Sequence, residues 1–211
     1  MKNINQLPGD NLGGLEQFFY ADADEIDSIA PAVNGVITPD ILMKSGKVFY
    51  SFRPSQGTLG FKEQQKDTKG GAIFTSELKG YVPRDSPELQ SALLDMYNRR
   101  LVVIYRDNNG LLKLVGDKNF WLTFEADLDT GTNPTNRNGI SFSFKGEGPN
   151  PAPFYGGAYT VDGSGTISPP VTPPANGFCR ILRGDGVLLA TLLPGQDAII
   201  ESGFSFVVRS I

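Results

Sequence analysis

One capped, amphipathic helix stands among strand-like segments in the stretch 85–146, and this arrangement constrains the fold most. Asp85 or Ser86 offers a carboxylate or hydroxyl oxygen to the free N–H groups of a first helical turn, and Pro87 fits that turn. Glu88 suits the positive end of the helix dipole. We predict a helix near 86–99 that packs on one face only. Its apolar stripe at helical spacing is Leu89, Ala92, Leu93, Met96 and Tyr97.

The segments around this helix have the patterns of strands. Residues 101–105 and 111–115 are rich in β-branched and aliphatic side chains, and Gly110 in the turn between them favours a hairpin. Residues 120–126 and 139–146 alternate between bulky and polar side chains, so we expect them to pair. The chain is therefore predicted to be mainly β, with one helix as a cover. Further strands are predicted over 15–20, 47–52, 57–64 and 72–81, the last two forming a projecting hairpin.

The composition argues against most catalytic and metal-binding classes. The chain has no histidine and one cysteine, Cys179. This excludes most zinc sites, Ser–His and Cys–His nucleophile pairs, and a disulfide within the chain. At 211 residues, 39% of them hydrophobic, the chain can bury a core without metals or disulfides. We expect a protein that is not an enzyme and that has no cofactor.

Charge and hydropathy argue against DNA and membranes as specific binding partners. The net charge is −4 and the basic residues are scattered, so sequence-specific DNA binding is not expected. The first ten residues lack the apolar segment of a signal peptide, and no stretch approaches the roughly 20 apolar residues of a membrane span. We therefore expect synthesis in the cytoplasm and no membrane partner.

The chain divides into three parts by composition. Residues 1–155 form the main β domain, beginning with a polar arm over 1–14. Residues 156–176 are rich in glycine and proline and are predicted to be a stiff, extended linker. Residues 177–211 hold three short strand patterns, and we expect a small β module that docks on the main domain or on a neighbouring subunit.

Two motifs in one polar loop have chemical interpretations. The tripeptide that begins at Asp129 and ends at Gly131 matches the catalytic motif of aspartic proteases, but it occurs once and in a polar setting, so an enzyme is only the third hypothesis. Asp127, Asp129 and Asn133 are weak candidates for Ca²⁺ ligands, because hard cations prefer carboxylate and amide oxygens. A solvated turn explains the same residues more simply.

A second class of function remains open beside a structural one. Trp121, Tyr155 and Tyr159, together with the loop 127–138, would give a β-sandwich module a surface for a carbohydrate or another ligand. Long loops in compact domains often carry such a function. Phe142 and Phe144 could line a groove together with Trp121, but aromatic side chains that alternate on a strand are more often part of a core.

The order of segments resembles that of tail-tube-like virion proteins of phages and prophages of Bacteroidetes. The resemblance covers about the first 155 residues. Its motifs are structural rather than catalytic. They are an acidic N-terminal strand, the strand at 47–50, the strand 57–65 with a charged tip, the helix entry 81–88, Asn98-Arg99-Arg100 before two strands, the strand from 138 to 142, and the segment 151–155.

The resemblance implies a β-sandwich or half-open barrel with a flanking helix, with the C-terminal module as a decoration. It implies subunits that assemble into rings, commonly of six copies, which stack into the tube of a virion tail. The other partners would then be tail proteins, with DNA only as passing cargo. Long loops and the N-terminal arm would mediate contacts. We expect assembly contacts at Asn11, Phe61, Lys66, Asn133 and Arg137.

Overall fold

The computed structural model describes residues 11–133, 135–167, 179–182 and 188–192, and these are mainly β. A short 3₁₀ turn, Ala23–Glu25, and one α-helix are the helical elements of these residues. In chain order the elements are β1 Leu15–Asp22, β2 Ile26–Ser28, β3 Val36–Ile37, β4 Leu42–Met43, β5 Tyr50–Phe52, β6 Gly60–Thr68, β7 Gly71–Pro83, α1 Pro87–Met96, β8 Leu101–Asp107, β9 Leu112–Val115, β10 Thr123–Asp129, β11 Gly139–Gly148, β12 Phe154–Tyr155, β13 Tyr159–Val161, β14 Gly165–Ile167, β15 Cys179–Leu182 and β16 Leu188–Leu192.

Two larger sheets build the main domain. The first has six strands in the order β3-β12-β9-β8-β1-β5, and the second has four antiparallel strands in the order β10-β11-β7-β6. One β-bridge links them, between Leu101 of β8 and Leu122 just before β10, and a shared core joins their faces. The predicted mainly β fold is confirmed, and of the two implied architectures the sandwich is the one observed. The predicted pairing of 120–126 with 139–146 is also confirmed, as β10 with β11.

The main core lies between the two sheets. Phe18 and Val103 from the six-stranded sheet meet Leu78, Phe142 and Phe144 from the four-stranded sheet. The ring centroids of Phe18 and Phe144 are 5.1 Å apart in an edge-to-face arrangement. Alternation along β11 thus places its large side chains inside and its serines outside.

A second core covers the opposite face of the six-stranded sheet. Phe19, Val102 and Ile104 point to this side, and Tyr155 and Tyr159 pack over them. The six-stranded sheet is therefore buried on both faces, which explains its nearly continuous apolar strand β8.

Helix α1 begins where the sequence predicts but ends earlier. The Ser86 hydroxyl accepts a hydrogen bond from the backbone N–H of Leu89, and Leu93 and Met96 are buried in the main core. The predicted range 86–99 was too long, because Tyr97 leaves the helix with an extended backbone and Asn98 takes a positive φ of 62°. Asparagine adopts this left-handed conformation more readily than most other residue types.

The first part of the predicted linker contains a hairpin. Residues 159–161 and 165–167 form the hairpin of β13 and β14, with Tyr159 and Val161 buried in the second core. Gly163 and Gly165, which made this stretch resemble a linker, have positive φ angles in its turn. The chain separates into two compact units, Met1–Pro169 and Pro170–Ile211, so the boundary follows residue 169 rather than 155.

The ends of the chain are only partly described. In the second unit, two of the three predicted strands are present as β15 and β16, which pair, whereas the third lies outside the described residues. At the N-terminus, residues 1–10 also lie outside them. Leu12 is held by its N–H, which donates to Asn109 Oδ1 at 2.9 Å. Within the described residues, no helix combines the length and apolar character that crossing a membrane requires.

Candidate functional site

The outer face of the four-stranded sheet is polar and charged. Ser141, Ser143 and Lys145 of β11 alternate with its buried residues, so they lie on the face away from the main core. The pairing register places Glu77 of β7 directly opposite Lys145. This face is accessible because the sandwich covers only the inner side of the sheet.

Charges of alternating sign cross this face from one edge to the other. Lys62 on β6 lies opposite Glu77, and Glu77 lies opposite Lys145. Lys145 Nζ then contacts Glu125 Oε2 of β10 at 2.7 Å. The hydrogen bond and the negative charge of Glu125 raise the pKa of the Lys145 ammonium. The row therefore begins with a cation on β6 and ends with an anion on β10.

Both edge strands of this sheet are long. β6 has nine residues and β10 has seven, and each is an outermost strand of this sheet within the described residues. On the outer side of β10, the bridge from Leu122 to Leu101 occupies only the position just before the strand. The exposed cations Lys62 and Lys66 lie on β6, while β10 carries exposed anions on the same face of the sheet. These anions are Glu125, Asp127 and Asp129. Unpaired edges of this length are templates for pairing with another chain.

An apolar flank lies on the inner side of β10. Leu128 shares the inward orientation of Phe124, yet its side chain is 48% exposed. Tyr97, just after α1, covers Phe124 with ring centroids 5.5 Å apart. A leucine left half exposed beside an unpaired edge adds an apolar contact for a strand that docks there.

A cleft of about 660 Å³ lies elsewhere in the main domain. Its walls come from the segment 29–37, the loop 116–120, the segment 146–153 and the side of β7 at Phe74. The residues include Pro31, Pro149, Pro151 and Pro153. Within the described part of the chain, no group of three or more His, Cys, Asp or Glu side chains is arranged to hold a metal ion.

The predicted Ca²⁺ candidates lie at the end of β10 and in the following loop. Asp127 and Asp129 are exposed on the outer face, and Asp129 Oδ1 accepts a hydrogen bond from the Gly131 N–H at 2.8 Å. Asn133 is exposed, and its backbone carbonyl accepts the N–H of Asn136. The carboxylate of Asp129 thus shapes its own turn, the simpler interpretation of both loop motifs.

The predicted assembly contacts lie in three parts of the main domain: strand β6, the turn between β8 and β9, and the loop between β10 and β11. Lys66 lies exposed on the β6 edge. Phe61 on the same strand points toward the core, and its ring centroid lies 4.8 Å from that of Tyr105. Asn11 Oδ1 accepts a hydrogen bond from Asn109 Nδ2, which ties it to the turn between β8 and β9. The remaining two, Asn133 and Arg137, are exposed in the loop between β10 and β11.

The aromatic residues predicted as a ligand surface are largely covered. Tyr155 and Tyr159 are 4% and 2% exposed, because they belong to the second core. Trp121 is partly buried, and the Arg100 guanidinium carbon lies 4.5 Å from its ring centroid. Two of these three residues therefore offer no open face on which a sugar can stack.

The charged row was not predicted from the sequence, although its members are visible there. Lys62, Glu77, Glu125 and Lys145 are scattered over 84 positions, counting from 62 to 145 inclusive, and only the strand register aligns them. A sequence signal exists in the equal spacing of Lys62 and Lys66 and of Glu125 and Asp129.

Comparisons of the chain with protein-family models, with curated proteins and with solved structures gave no match.

Proposed function

We propose that this chain is a non-enzymatic structural subunit that assembles head to tail through the edges of its four-stranded sheet. The strand order carries the proposal. Because two strands, β11 and β7, separate the edge strands and every pair is antiparallel, β10 and β6 run in opposite directions. A neighbour's β6 placed beside β10 then continues the antiparallel sheet without reversing the subunit. Such a head-to-tail contact uses two different surfaces, and it closes into a ring when the rotation between copies allows.

Edge pairing also explains why both strands are long. A strand edge exposes a row of N–H and C=O groups, and isolated proteins usually shorten or cover such edges. β6 and β10 present theirs at the two sides of one sheet. In a closed ring each edge has a partner, and the neighbouring copy buries the half-exposed Leu128 of β10.

The proposed setting is the tail of a phage or prophage virion. It is supported by the segment order over the first 155 residues, which resembles that of tail-tube-like proteins. Rings of six copies, other tail proteins as neighbours and DNA as passing cargo belong to this proposal. A face of mixed charge near DNA favours passage over tight binding, since retention needs clustered lysine and arginine.

Light scattering over a concentration series, with electron microscopy of the same samples, tests the assembly. We expect ring-shaped particles that form as concentration rises. A protein that stays strictly monomeric at high concentration contradicts the proposal.

A pair of proline variants tests whether the β6 edge makes the contact. Consecutive residues of an edge strand direct their N–H groups alternately toward the neighbouring strand of the sheet and away from it. One of Gln64→Pro and Gln65→Pro therefore removes a hydrogen bond to β7, and the other removes only an outward donor. We expect the second type to melt nearly as the wild type does but to form no rings. If both variants assemble normally, β6 is not the contact.

A ligand-binding module is the second candidate, and the cleft of about 660 Å³ is the observation that favours it. Its volume lies in the range of small-molecule sites, roughly 300–1,000 Å³. A glycan array and a calcium titration, both on the purified chain, test this alternative. If neither experiment shows binding, the result contradicts the ligand-binding alternative.

A further inference from the structure

We propose that the contact between copies has one register, in which Lys66 on one copy lies opposite Glu125 on the next and Lys62 lies opposite Asp129. This inference rests on the proposed function and adds the residues that specify the contact. All four side chains are exposed and lie on the outer face of their sheet.

The spacing of the charges selects this register. Lys62 and Lys66 are four residues apart on β6, and Glu125 and Asp129 are four residues apart on β10. In an antiparallel pair the residue numbers of one strand rise as those of the other fall. When Lys66 faces Glu125, Lys62 therefore faces Asp129, and Gln64 between them faces Asp127.

The neighbouring registers are worse electrostatically. A shift of two residues in one direction places Lys66 opposite Thr123, and the opposite shift moves Lys62 past Asp129 to the end of the strand. Each of these leaves one lysine without a carboxylate. A shift of one residue sends the charged side chains of the two strands to opposite faces of the sheet. Only one register pairs both lysines with acids.

The charged row within each subunit would continue across this contact. Inside one copy the order from β6 to β10 is Lys62, Glu77, Lys145 and Glu125. Lys66 of the next copy follows Glu125, so the signs keep alternating. Exposed ion pairs contribute only about 0.2–1 kcal/mol each. They therefore act mainly as register determinants, because a shifted contact leaves one lysine without a carboxylate.

The register also fixes the stagger between copies. Within one sheet Lys62 lies in the row of Thr123, through Lys145 and Glu77. In the contact it lies beside Asp129, six residues further along β10, which is a displacement of about 20 Å. Over four strands spaced about 4.8 Å apart, this corresponds to strands tilted by about 45°. Tilts of roughly 35–45° are those at which sheets close on themselves.

Cysteine cross-linking tests the register directly. Opposed residues in a strand pair have Cα atoms about 4.5–5.5 Å apart, within the range that a disulfide spans. The variant Lys66→Cys/Glu125→Cys should cross-link into ladders under mild oxidation. The matched variants Lys66→Cys/Thr123→Cys and Lys66→Cys/Asp127→Cys should cross-link at least tenfold more slowly. Faster cross-linking in either matched variant overturns the register.

Charge reversal supplies a second, independent readout. Lys62→Glu/Lys66→Glu and Glu125→Lys/Asp129→Lys should each weaken self-assembly at least tenfold, while an equimolar mixture of the two restores rings. Lys44→Glu/Lys118→Glu makes the same change in net charge at exposed residues outside the four-stranded sheet and should assemble normally. Thermal melts of each variant separate a folding defect from an assembly defect.

The outcomes distinguish the two proposals. A wild-type protein that stays monomeric overturns the proposed function and this register with it. Wild-type rings that form without the Lys66→Cys/Glu125→Cys cross-link, or reversed variants that the mixture does not rescue although they fold, overturn the register alone.

Discussion

Phe18 and Phe19 are neighbours on β1, yet their rings lie in different cores. The Phe18 ring centroid is 5.1 Å from that of Phe144, between the two sheets, and the Phe19 ring centroid is 5.0 Å from that of Tyr159, on the far side of the six-stranded sheet. Both phenylalanines are buried, at 0% and 1% exposure. Strand β1 therefore joins the sandwich to the covering layer formed by the segments around β12 and β13.

This arrangement predicts how core substitutions combine. Phe18→Leu, Phe19→Leu and Phe144→Leu should each lower the free energy of unfolding by about 1–2 kcal/mol. Because Phe18 contacts Phe144 but not the second core, the Phe18/Phe144 pair should show a coupling of about 0.5 kcal/mol or more, and Phe18/Phe19 should be additive within about 0.5 kcal/mol. Urea unfolding of the single and double variants measures both. Equal coupling in the two pairs would contradict the separation of the cores.

Two strand glycines in the four-stranded sheet should respond differently to alanine. A Cβ at Gly139 would collide with the Tyr81 side chain and with the backbone carbonyl of Val82, whereas a Cβ at Gly60 meets nothing within 4 Å. Gly139→Ala should lower the free energy of unfolding by about 1–3 kcal/mol. Gly60→Ala should leave it unchanged or raise it by about 0.5–1 kcal/mol. Thermal melts compare them. Similar melting temperatures for the two variants would refute the close approach at Gly139.

The N-cap of α1 gives a third prediction. Ser86 Oγ accepts the N–H of Leu89 at 3.2 Å, so Ser86→Ala should cost about 0.5–2 kcal/mol. Ser91, exposed in the middle of the same helix, provides the control. Because alanine has the higher helix propensity, Ser91→Ala should leave stability unchanged or raise it. Chemical denaturation of both variants checks this, and an unaffected Ser86→Ala protein would exclude a stabilising cap.

The Tyr155 hydroxyl joins two separate segments. It accepts the backbone N–H of Ile41 at 3.0 Å and donates to the carbonyl of Ala158 at 2.8 Å. Tyr155→Phe should destabilise by about 1–3 kcal/mol, because both backbone groups lose their partner in a buried site. Hydrogen exchange at Ile41 should accelerate in the variant. Unchanged exchange would show that the hydroxyl does not hold this segment.

Stability should fall at alkaline pH because of the buried tyrosines. Burial raises the pKa of Tyr155 from 10.0 to about 12. Burial also raises the pKa of Tyr105 and of Tyr159. Between pH 10 and 12 the unfolded chain loses these protons while the folded chain keeps them, so the stabilising contribution is complete below pH 10 and decreases above it.

Urea unfolding at pH 8, 9, 10 and 11 measures this loss. Tyr155→Phe removes one titrating group and should flatten the dependence above pH 10, and the difference between the two curves cancels the contribution of surface lysines. Parallel curves for the wild type and the variant would show that Tyr155 does not contribute.

The local elements were largely predictable from the sequence because short-range physics determines them. The alternation of β11, the hairpin of β8 and β9, and the start of α1 each follow from neighbouring residues. The end of α1 and the hairpin of β13 and β14 were less predictable. At Asn98 and at the turn glycines, a single residue type is compatible with several backbone conformations.

The candidate site was predictable only in part, for a related reason. Lys66 was expected at a contact and lies on the β6 edge, but Asn11 and Phe61 are occupied within their own chain. Glu125 and Lys145 gain their significance from a row that crosses four strands. That row depends on the pairing register, which spacing along the chain does not reveal.

The sequence by itself determined which segments become strands, where the helix starts and that the fold is mainly β, because hydrophobic periodicity and capping act over a few residues. Only the tertiary structure decided the strand order, the burial of β1 on both faces and the alternation of charge from β6 to β10. These properties come from pairings between distant segments, whose choice depends on how whole faces pack together rather than on any local pattern.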